Sequence, residues 1–590
     1  MERRAPPYLA VENGIQITLS VIDAPCQSNG GRWCKRTRNP SAFFRWRFPF
    51  ASRRPRRPSC PGQSEIKLTT GASRSGTGWS AAIFLASLVY LVLRVPEADF
   101  LLVSNDQGYQ MALGMAVAGG RLPGFDFITQ YGPAVAFASY CGFALTGNAV
   151  GEMLICAIGY AATITIAASI VRPPAGRCLA ILTALAMLLW FPRLYKWYYC
   201  LFPILGLKFA QIYFASLTEN RRTTGVLIAW SQIVGMSALF RYDLGVEGEV
   251  FGVLAILAAH HANGWPNRGK VFCEAILFTG GAVALSAAYM AAIFLTRDVQ
   301  GLSMFVRSIY DGAVDTVDYY RVSPFQFAPS GGLSASSALA LLQIIVPLTC
   351  LAGAVIGACA LRSSNRTTAA HGFALFCASL AGLGVYPQAL HRADFQHLLQ
   401  VIYPFIVTLA LLAALLVCRG QVGRWLDRLV GAAAIVGILA DMLILLPGSS
   451  FDLGPLLRDP ATAWETVADL PNSRSNDPIA AMAIALRRLT PPDASVFLMM
   501  VPTDMPLLFF SQRSQPGIFP VYERGMFAGD FWLQRNRAAL EAGPPDYIVV
   551  MRTSASDDPA PFIPALVREW RSKYKTVLYQ NERYQLLIAR

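Results

Sequence analysis

Charged residues are scarce in this chain: Asp, Glu, Lys and Arg make up 15% of its 590 residues, whereas hydrophobic residues make up 54%. A soluble enzyme of this size has charges at about a quarter of its positions. Apolar runs of about 17–25 residues recur along the chain, and each is long enough to cross roughly 30 Å of hydrocarbon as a helix. The scarcity of charge therefore excludes an ordinary soluble enzyme and predicts an all-α polytopic membrane domain.

The sequence also lacks the patterns of several common sites. Its twelve cysteines are scattered without a C-x-x-C pair, so neither a zinc site nor a disulfide framework is predicted. The C-terminal part contains no G-x-G-x-x-G and no Walker sequence, so nothing there indicates a nucleotide site. No short apolar core followed by a small-residue cleavage site occurs near the start, so we expect no cleavable signal peptide.

Basic residues outnumber acidic ones, and the formal net charge at pH 7 is +14. They lie mainly in residues 1–75 and in short segments between apolar runs, so we interpret them as topology determinants rather than nucleic-acid contacts. Residues 1–75 are rich in Arg, Pro, Ser and Gly and show no periodicity. This composition predicts a disordered basic N-terminal tail, or else a start codon assigned too far upstream.

The positive-inside rule, applied loop by loop, places the N-terminus in the cytoplasm of a bacterial inner (cytoplasmic) membrane. Segment 131–147 is apolar enough to span, but a span there would put Arg172 to Arg177 outside, so we interpret it as a re-entrant or membrane-surface helix. We predict a multi-pass transmembrane domain at 76–446 with a first outer loop at 96–148. Its spans, about eleven in number, are predicted at 79–95, 149–171, 178–192, 198–217, 224–240, 244–261, 271–295, 337–360, 370–386, 397–418 and 429–446.

After Leu446 the composition changes, because Pro, Asp, Arg and Asn become frequent and the apolar runs shorten to the length of strands. An odd number of crossings leaves this part outside, so residues 447–590 are predicted to form a periplasmic soluble α/β domain. The predicted strands are 495–500, 547–551 and 584–589, and the predicted amphipathic helices are 477–489, 530–541 and 561–574.

The first outer loop holds the most informative motifs. It reads S-N-D-Q-G-Y at 104–109, G-G-R-L-P-G-F-D-F at 119–127 and Q-Y-G-P at 130–133. A carboxylate next to hydrocarbon is costly unless it faces water, a cation or a substrate, so Asp106 is a candidate functional carboxylate. The alternative is that Asp106 caps a helix that begins near Gln107.

This order of motifs resembles the polyprenyl-phosphate-sugar-dependent glycosyltransferases of the C superfold, which are related to protein mannosyltransferases and aminoarabinose transferases. The layout matches over about 79–590, and the sharp motifs over about 100–133. In many relatives the middle motif ends in Pro-Tyr-x-Asp-Phe, whereas Gly124 to Phe127 follow Pro123 here. The resemblance implies that Asp106 is the catalytic base and that Asp126 and Tyr131 bind substrate.

Such a reaction also requires positive charge, because a phosphate anion leaves when the sugar is transferred to a hydroxyl. Arg241 and Asp243 are candidates, since they lie at the outer end of one predicted span with Glu247 one turn further on. An Arg can bind a phosphate through two hydrogen bonds while an Asp fixes its orientation. The alternative is a structural Arg–Asp pair at a helix end.

A second candidate cluster contains Arg392, Asp394 and His397, and it resembles an R-x-D-x-x-H pattern of membrane glycosyltransferases of this kind. The same structural alternative applies to it. Some relatives bind a divalent cation through acidic residues, and Asp106 and Asp126 are the candidates for such a site here. The sequence leaves this open, and no other metal site or cofactor is predicted. The aromatic stretch Trp190 to Tyr199 is interpreted as a membrane-interface belt.

The sequence therefore predicts a glycosyltransferase, of hexosyl or pentosyl type, that uses a polyprenyl-phosphate-linked sugar. The predicted acceptor is an extracytoplasmic glycan, lipid or protein, with the lipid bilayer as a further partner and no nucleic acid. One alternative is a polysaccharide or lipid transporter or flippase, which the lack of an internal repeat disfavours. The other is a noncatalytic envelope-assembly membrane protein.

Overall fold

The computed structural model describes residues 74–94, 105–129, 131–189, 196–265, 267–296, 299–319, 335–391, 395–418, 460–499, 505–519, 529–552 and 569–589. The chain divides into two units, residues 1–70 and 71–590, and all the described residues belong to the second. The predicted tail at 1–75, except its last two residues, and the predicted span at 429–446 lie outside the described residues.

The part of the chain before residue 419 is helical wherever its secondary structure is regular. Its helices are α1 Arg74–Arg94, α2 Asn105–Ala118, α3 Pro133–Thr146, α4 Ala149–Leu189, α5 Trp197–Thr218, α6 Thr224–Phe240, α7 Tyr242–Ala262, α8 Arg268–Thr296, α9 Val299–Tyr319, α10 Ala335–Leu361, α11 Arg366–Val385, α12 Pro387–His391 and α13 Phe395–Cys418.

Several of these helices are suited to a bilayer. Within the described ranges, the stretches long and apolar enough to cross a membrane are five in number, namely Ala149–Leu188, Trp197–Thr218, Arg268–Thr296, Leu342–Leu361 and Arg366–Leu390. Large apolar side chains such as Phe272 and Leu295 are exposed on these helices, as expected where the surrounding solvent is lipid. The prediction of a mostly helical, multi-pass membrane protein is thus confirmed.

Helix α4 contains a break where the sequence predicts a loop. Pro173 and Pro174 lie inside it, and Gly176 has non-helical dihedral angles with φ 81°. Proline removes a backbone donor from the helix, and glycine adopts a positive φ without a steric penalty. The predicted spans at 149–171 and 178–192 are therefore the two halves of α4, separated by this break.

Helix α3 occupies the segment predicted not to span. It has 14 residues between Gly132 and Gly147, and Gly147 ends it in the left-handed conformation with φ 70°. At 1.5 Å per residue such a helix is about 21 Å long, shorter than the hydrocarbon core of about 30 Å. Its length agrees with the predicted re-entrant or surface helix, whose location in the membrane stays a prediction.

The long segment at 296–336, predicted only as an outer loop, contains the amphipathic helix α9. Met304 and Phe305 on one face are buried, whereas Val306 and Tyr310 are exposed. Further along the chain, four strands form a small mixed sheet in the order β1-β2-β4-β3. The strands are β1 Val496–Met499, β2 Tyr547–Met551, β3 Tyr574–Gln580 and β4 Tyr584–Ala589.

Residues 460–589 are called the C-terminal region below. Its helices are α14 Pro460–Ala468, α15 Leu470–Ser473, α16 Pro478–Leu489, α17 Pro506–Ser511 and α18 Asp530–Ala542.

The three predicted strands are present, and β1 pairs with β2 in parallel while the other pairs are antiparallel. Strand β3 was not predicted, because its side chains are largely exposed and the helix expected at 561–574 covered its start.

Candidate functional site

The first turn of α2 is fixed by side chains that follow Asp106. Gln107, fully buried, donates from Nε2 to Oε1 of Glu152 in α4 at 2.7 Å. Gln110 donates from Nε2 to the hydroxyl of Tyr198 in α5 at 3.2 Å. Asp106 is the second residue of α2, and its side chain lies outside what the structure describes. The start of α2 is thus hydrogen-bonded to the two longer helices α4 and α5.

Two cationic side chains approach the same two aromatic rings. The Lys196 ammonium is 5.6 Å from the ring centre of Tyr131 and 4.6 Å from that of Tyr199. The Arg241 guanidinium is 5.8 Å and 5.0 Å from the same two centres. Lys196 is only 4% exposed, which is unusual for a lysine. We call Tyr131, Lys196, Tyr199 and Arg241 the cation–aromatic cluster.

The Q-Y-G-P turn reaches this cluster because it contains a glycine. The Gly132 N–H donates to the Phe240 carbonyl at 2.8 Å, at the end of α6. A Cβ atom at Gly132 would lie 2.1 Å from the carbonyl oxygen of Leu239. The next residue after α6 is Arg241, which is extended (φ −155°, ψ 131°) between α6 and α7. Close contact of the two backbones thus places the Tyr131 ring beside Arg241.

Arg241 and Asp243 form a bidentate ion pair. The Nε to Oδ1 distance is 2.8 Å and the Nη2 to Oδ2 distance is 2.6 Å. Gln388 of α12 also donates to Oδ2, and the Leu244 N–H donates to Oδ1 at 2.9 Å. Asp243 therefore orients the guanidinium and also accepts a hydrogen bond from a backbone N–H in the first turn of α7.

Both members of this pair are charged near neutral pH. Burial disfavours the Arg241 guanidinium, but the charge and hydrogen bonds of Asp243, together with Tyr199 and Tyr131, raise the pKa of Arg241 overall. Burial likewise disfavours the Asp243 carboxylate, but the Arg241 charge and the hydrogen bonds lower the pKa of Asp243. The Lys196 ammonium approaches the same two rings as this ion pair.

A small, largely apolar pocket lies beside the pair, between α5, α6, α7 and α11. Glu247 lines it, together with Phe202, Val234, Ser237, Phe251 and Leu380. The Phe202 ring also contacts Phe240, which precedes Arg241, at 5.2 Å between centres. The pocket and the cation–aromatic cluster are therefore neighbours.

The predicted site residues are only partly brought together. Tyr131, Arg241 and Asp243 meet as described, whereas Asp126 closes its own loop by accepting from the Leu122 N–H at 2.7 Å. Arg392 and Asp394 lie outside the described residues, as does the side chain of His397, whose backbone is in α13. Within the described ranges, no group of three His, Cys, Asp or Glu residues is placed to hold a metal ion.

Sequence reasoning missed the role of the aromatic stretch. Tyr198 is fully buried and Tyr199 is 1% exposed, so the interpretation of both as a lipid-facing belt is wrong. Lys196 was missed with them. The signal was a lysine in a predicted outer segment, where the positive-inside rule disfavours basic residues unless they have another task.

Fold and site together define a multi-pass, mostly helical membrane protein in which Lys196 and Arg241 converge on two aromatic rings. Its structure is similar to that of ArnT from Cupriavidus metallidurans bound to undecaprenyl phosphate, with a TM-score of 0.47 and 14% identity over 87% of this chain and 98% of that chain. It is also similar to the Archaeoglobus fulgidus oligosaccharyltransferase tethered with an acceptor peptide, with a TM-score of 0.40 and 13% identity over 80% and 69% of the chains.

ArnT is an aminoarabinose transferase, one of the groups that the motifs of the first outer loop resemble. No protein-family model matches this chain, and no curated protein matches it. Because the identities are 14% or less and the TM-scores are below 0.5, the function has to follow from the chain's own residues.

Proposed function

We propose that this protein is a membrane glycosyltransferase that moves a sugar from a polyprenyl-phosphate donor to a hydroxyl of an extracytoplasmic glycan, lipid or protein. The observation that carries the proposal is the convergence of Lys196 and Arg241 on the rings of Tyr131 and Tyr199. This convergence lies next to α2, whose second residue is Asp106, as the contact between Tyr109 and Tyr131 indicates.

The cluster suits a lipid-borne phosphate. Arg241 is held in one orientation by Asp243, so its guanidinium is preorganised for a planar, two-bonded contact with phosphate oxygens. Lys196 adds a compact point charge from another helix. Both lie where water is partly excluded, which strengthens their attraction for the charge that develops on the leaving phosphate.

Asp106 is the proposed base that takes the proton of the acceptor hydroxyl. Tyr109 lies three residues after Asp106, and its ring centre is 5.8 Å from that of Tyr131 in the cluster. Three residues of helix correspond to a rise of about 4.5 Å. This short rise supports the proposal that the base and the phosphate site lie close together at the start of α2.

The Asp106 carboxylate takes the proton of the acceptor hydroxyl while that oxygen attacks the anomeric carbon. The bond between the anomeric carbon and the phosphate oxygen breaks, and its electron pair stays with the phosphate. Lys196 and Arg241 stabilise this charge, and the polyprenyl phosphate leaves with it.

Further residues and the arrangement in the membrane complete the proposal. Arg392 is a second phosphate contact, with Asp394 and His397 supporting it, and Asp126 supports the acceptor side. The chain crosses the inner membrane about eleven times, with residues 447–590 as an α/β domain in the periplasm. The transferred group is a hexose or a pentose.

The test is transfer of a labelled sugar by the full chain in detergent. Donors are polyprenyl-phosphate-linked hexoses and pentoses, and acceptors are isolated envelope lipid and glycan fractions. Asp106→Asn should lose about 10²- to 10⁴-fold in turnover while it still binds the donor. The matched control is Asp469→Asn, an exposed carboxylate that contacts Asn472 and should leave transfer unchanged.

Two outcomes would overturn the proposal. Full turnover by Asp106→Asn would remove the mechanism. Movement of a lipid-linked sugar across vesicles, without any covalently altered acceptor in detergent, would establish the transporter instead.

A further inference from the structure

Arg121 joins two distant parts of the chain through a single guanidinium group. It follows α2 in the G-G-R-L-P-G motif, and its Nη1 donates to the carbonyl of Gln515 at 2.6 Å. Its Nη2 donates to the carbonyl of Asp126 at 2.7 Å and also to that of Gly517. The Arg121 side chain is thus hydrogen-bonded both to its own loop and to a loop of the C-terminal region.

The segment after Arg121 is built into the core of the C-terminal region. The Ile128 N–H donates to the Ile518 carbonyl at 2.9 Å, and Ile518 is held in turn by the Asn536 side chain. Ile128 is 1% exposed and belongs to a buried cluster with Phe497, Ile518, Phe519, Trp532, Leu540, Ile548, Val550, Trp570, Tyr574 and Leu587. Every other member of that cluster comes from the C-terminal region.

A second contact lies at the other end of α2. A Cβ atom at Gly108 would come within 2.4 Å of the Pro506 ring, so the Gly108 backbone in α2 packs directly against the first residue of α17. Gly108 follows Asp106 by two residues. The C-terminal region therefore contacts α2 in the turn that carries Asp106 and again in the loop that follows the helix.

We infer that Arg121 is a positioning residue, which ties residues 515–517 to the loop after α2 and thereby keeps Asp106 in register with the cation–aromatic cluster. This inference rests on the proposed function, because it assigns the C-terminal region a part in the same transfer. A planar guanidinium reaches three carbonyls in fixed directions, which a flexible lysine ammonium does not reproduce.

The C-terminal region has an independent attachment that makes this role testable. Trp532 donates from Nε1 to Oδ2 of Asp311 in α9 at 2.7 Å, and Arg307 lies 3.7 Å from the ring centre of Phe531. Loss of Arg121 should therefore loosen the loop locally and leave the region attached through α9.

The experiment compares Arg121→Ala and Arg121→Lys with Arg571→Ala, whose side chain contacts Gln585 within the C-terminal region. Donor-binding measurements give the number of competent sites per chain and their affinity. Single-turnover measurements give the rate at which the bound donor transfers its sugar. Both Arg121 variants should keep the stoichiometry and affinity and should transfer about 10- to 100-fold more slowly, as a displaced catalytic group does. Arg571→Ala should behave as the wild type.

Hydrogen exchange provides a readout independent of transfer. Amides of residues 122–129 and 513–519 should exchange faster in Arg121→Ala, while those of Met304 to Ser308 in α9 should not change. Gly108→Ala perturbs the other contact and should also slow transfer at unchanged donor affinity. Unchanged exchange in both segments, or wild-type transfer in both Arg121 variants, would overturn the inference.

The outcomes separate the two proposals. If Asp106→Asn is inactive while both Arg121 variants transfer normally, only the positioning role fails. If Asp106→Asn transfers normally, the proposed function fails whatever Arg121 does.

Discussion

Arg241 and Asp243 are only two residues apart, yet they form a bidentate pair across the junction of α6 and α7, with Nη2 and Oδ2 separated by 2.6 Å. The junction makes this geometry available, because Arg241 is extended and Asp243 is already in the first turn of α7. The ion pair therefore points the guanidinium towards Tyr131 and Tyr199.

Asp243→Asn should weaken donor binding more than turnover. The variant removes the charged partner that orients Arg241, and hydrogen bonds to charged groups contribute a few kcal/mol at most, less where water has access. We expect a rise of about tenfold in the donor KM, with kcat changed less. Asp469→Asn provides the control, and an unchanged KM in Asp243→Asn would contradict the orienting role.

The same pair predicts a dependence of stability on acid. The Arg241 charge lowers the pKa of Asp243 in the folded protein against the opposing effect of burial. Stabilisation by Asp243 is then fully present above the pKa of an unfolded aspartate, about 3.9, and is lost as the pH falls through the lower folded value. Thermal unfolding should show a steeper loss of Tm below about pH 4 in the wild type than in Asp243→Asn. An equal loss of Tm below about pH 4 in the two proteins would contradict this prediction.

Lys196 should be replaceable only by another cation. Lys196→Gln removes the charge between Tyr131 and Tyr199 and should raise the donor KM by about tenfold or more. Lys196→Arg keeps the charge and should retain more affinity, although the larger guanidinium must fit a buried position. Isothermal titration calorimetry measures the affinity of both variants for a polyprenyl phosphate. Equal affinity of Lys196→Gln and the wild type would exclude a phosphate contact.

Gly132→Ala should destabilise the protein through a backbone clash. The added Cβ would lie 2.1 Å from the Leu239 carbonyl oxygen, so either the Q-Y-G-P turn or the end of α6 must move. We expect a loss of about 1–3 kcal/mol, measured as a lower Tm in detergent. The control is Gly280→Ala in α8, where a Cβ meets open space and a small gain is expected from helix propensity.

Tyr213→Phe should separate stability from transfer. The Tyr213 hydroxyl donates to Oε2 of Glu274 at 2.6 Å and lies 3.0 Å from Nε2 of His260, in a buried network at the other end of α5. Tyr213 is about 21 Å along that helix from Tyr199. Loss of this hydroxyl should cost about 1 kcal/mol and leave the donor KM and kcat unchanged. Altered kinetic constants would show that the network reaches the site.

The sequence allows long apolar helices to be predicted because the length of an apolar run is a local property. The break in α4 was also predictable, since Pro173, Pro174 and a basic loop coincide there. Strand β3 was not, because Val577 and Leu578 are exposed and no alternation marks the strand. Helix α9 was missed because its amphipathic pattern lies in a segment assigned to a loop.

Only part of the candidate site, likewise, could be predicted from the sequence. Arg241 and Asp243 are neighbours in sequence, so their pairing could be anticipated, whereas the approach of Tyr131 depends on the contact between Gly132 and Phe240. Lys196 reaches the cluster only through the packing of α5. Asp126 was predicted to bind substrate from its motif, and its loop-closing hydrogen bond to Leu122 could not be seen from residue type.

The burial of Ile128 among side chains of the C-terminal region bears on the order in which the chain is made. The guanidinium bond between Arg121 and Gln515 joins positions 394 residues apart. During synthesis the segment at 121–128 can therefore reach its final packing only after the last part of the polypeptide has been made. A C-terminal fragment expressed alone would lack one of its own interior side chains and would have an apolar gap where Ile128 belongs.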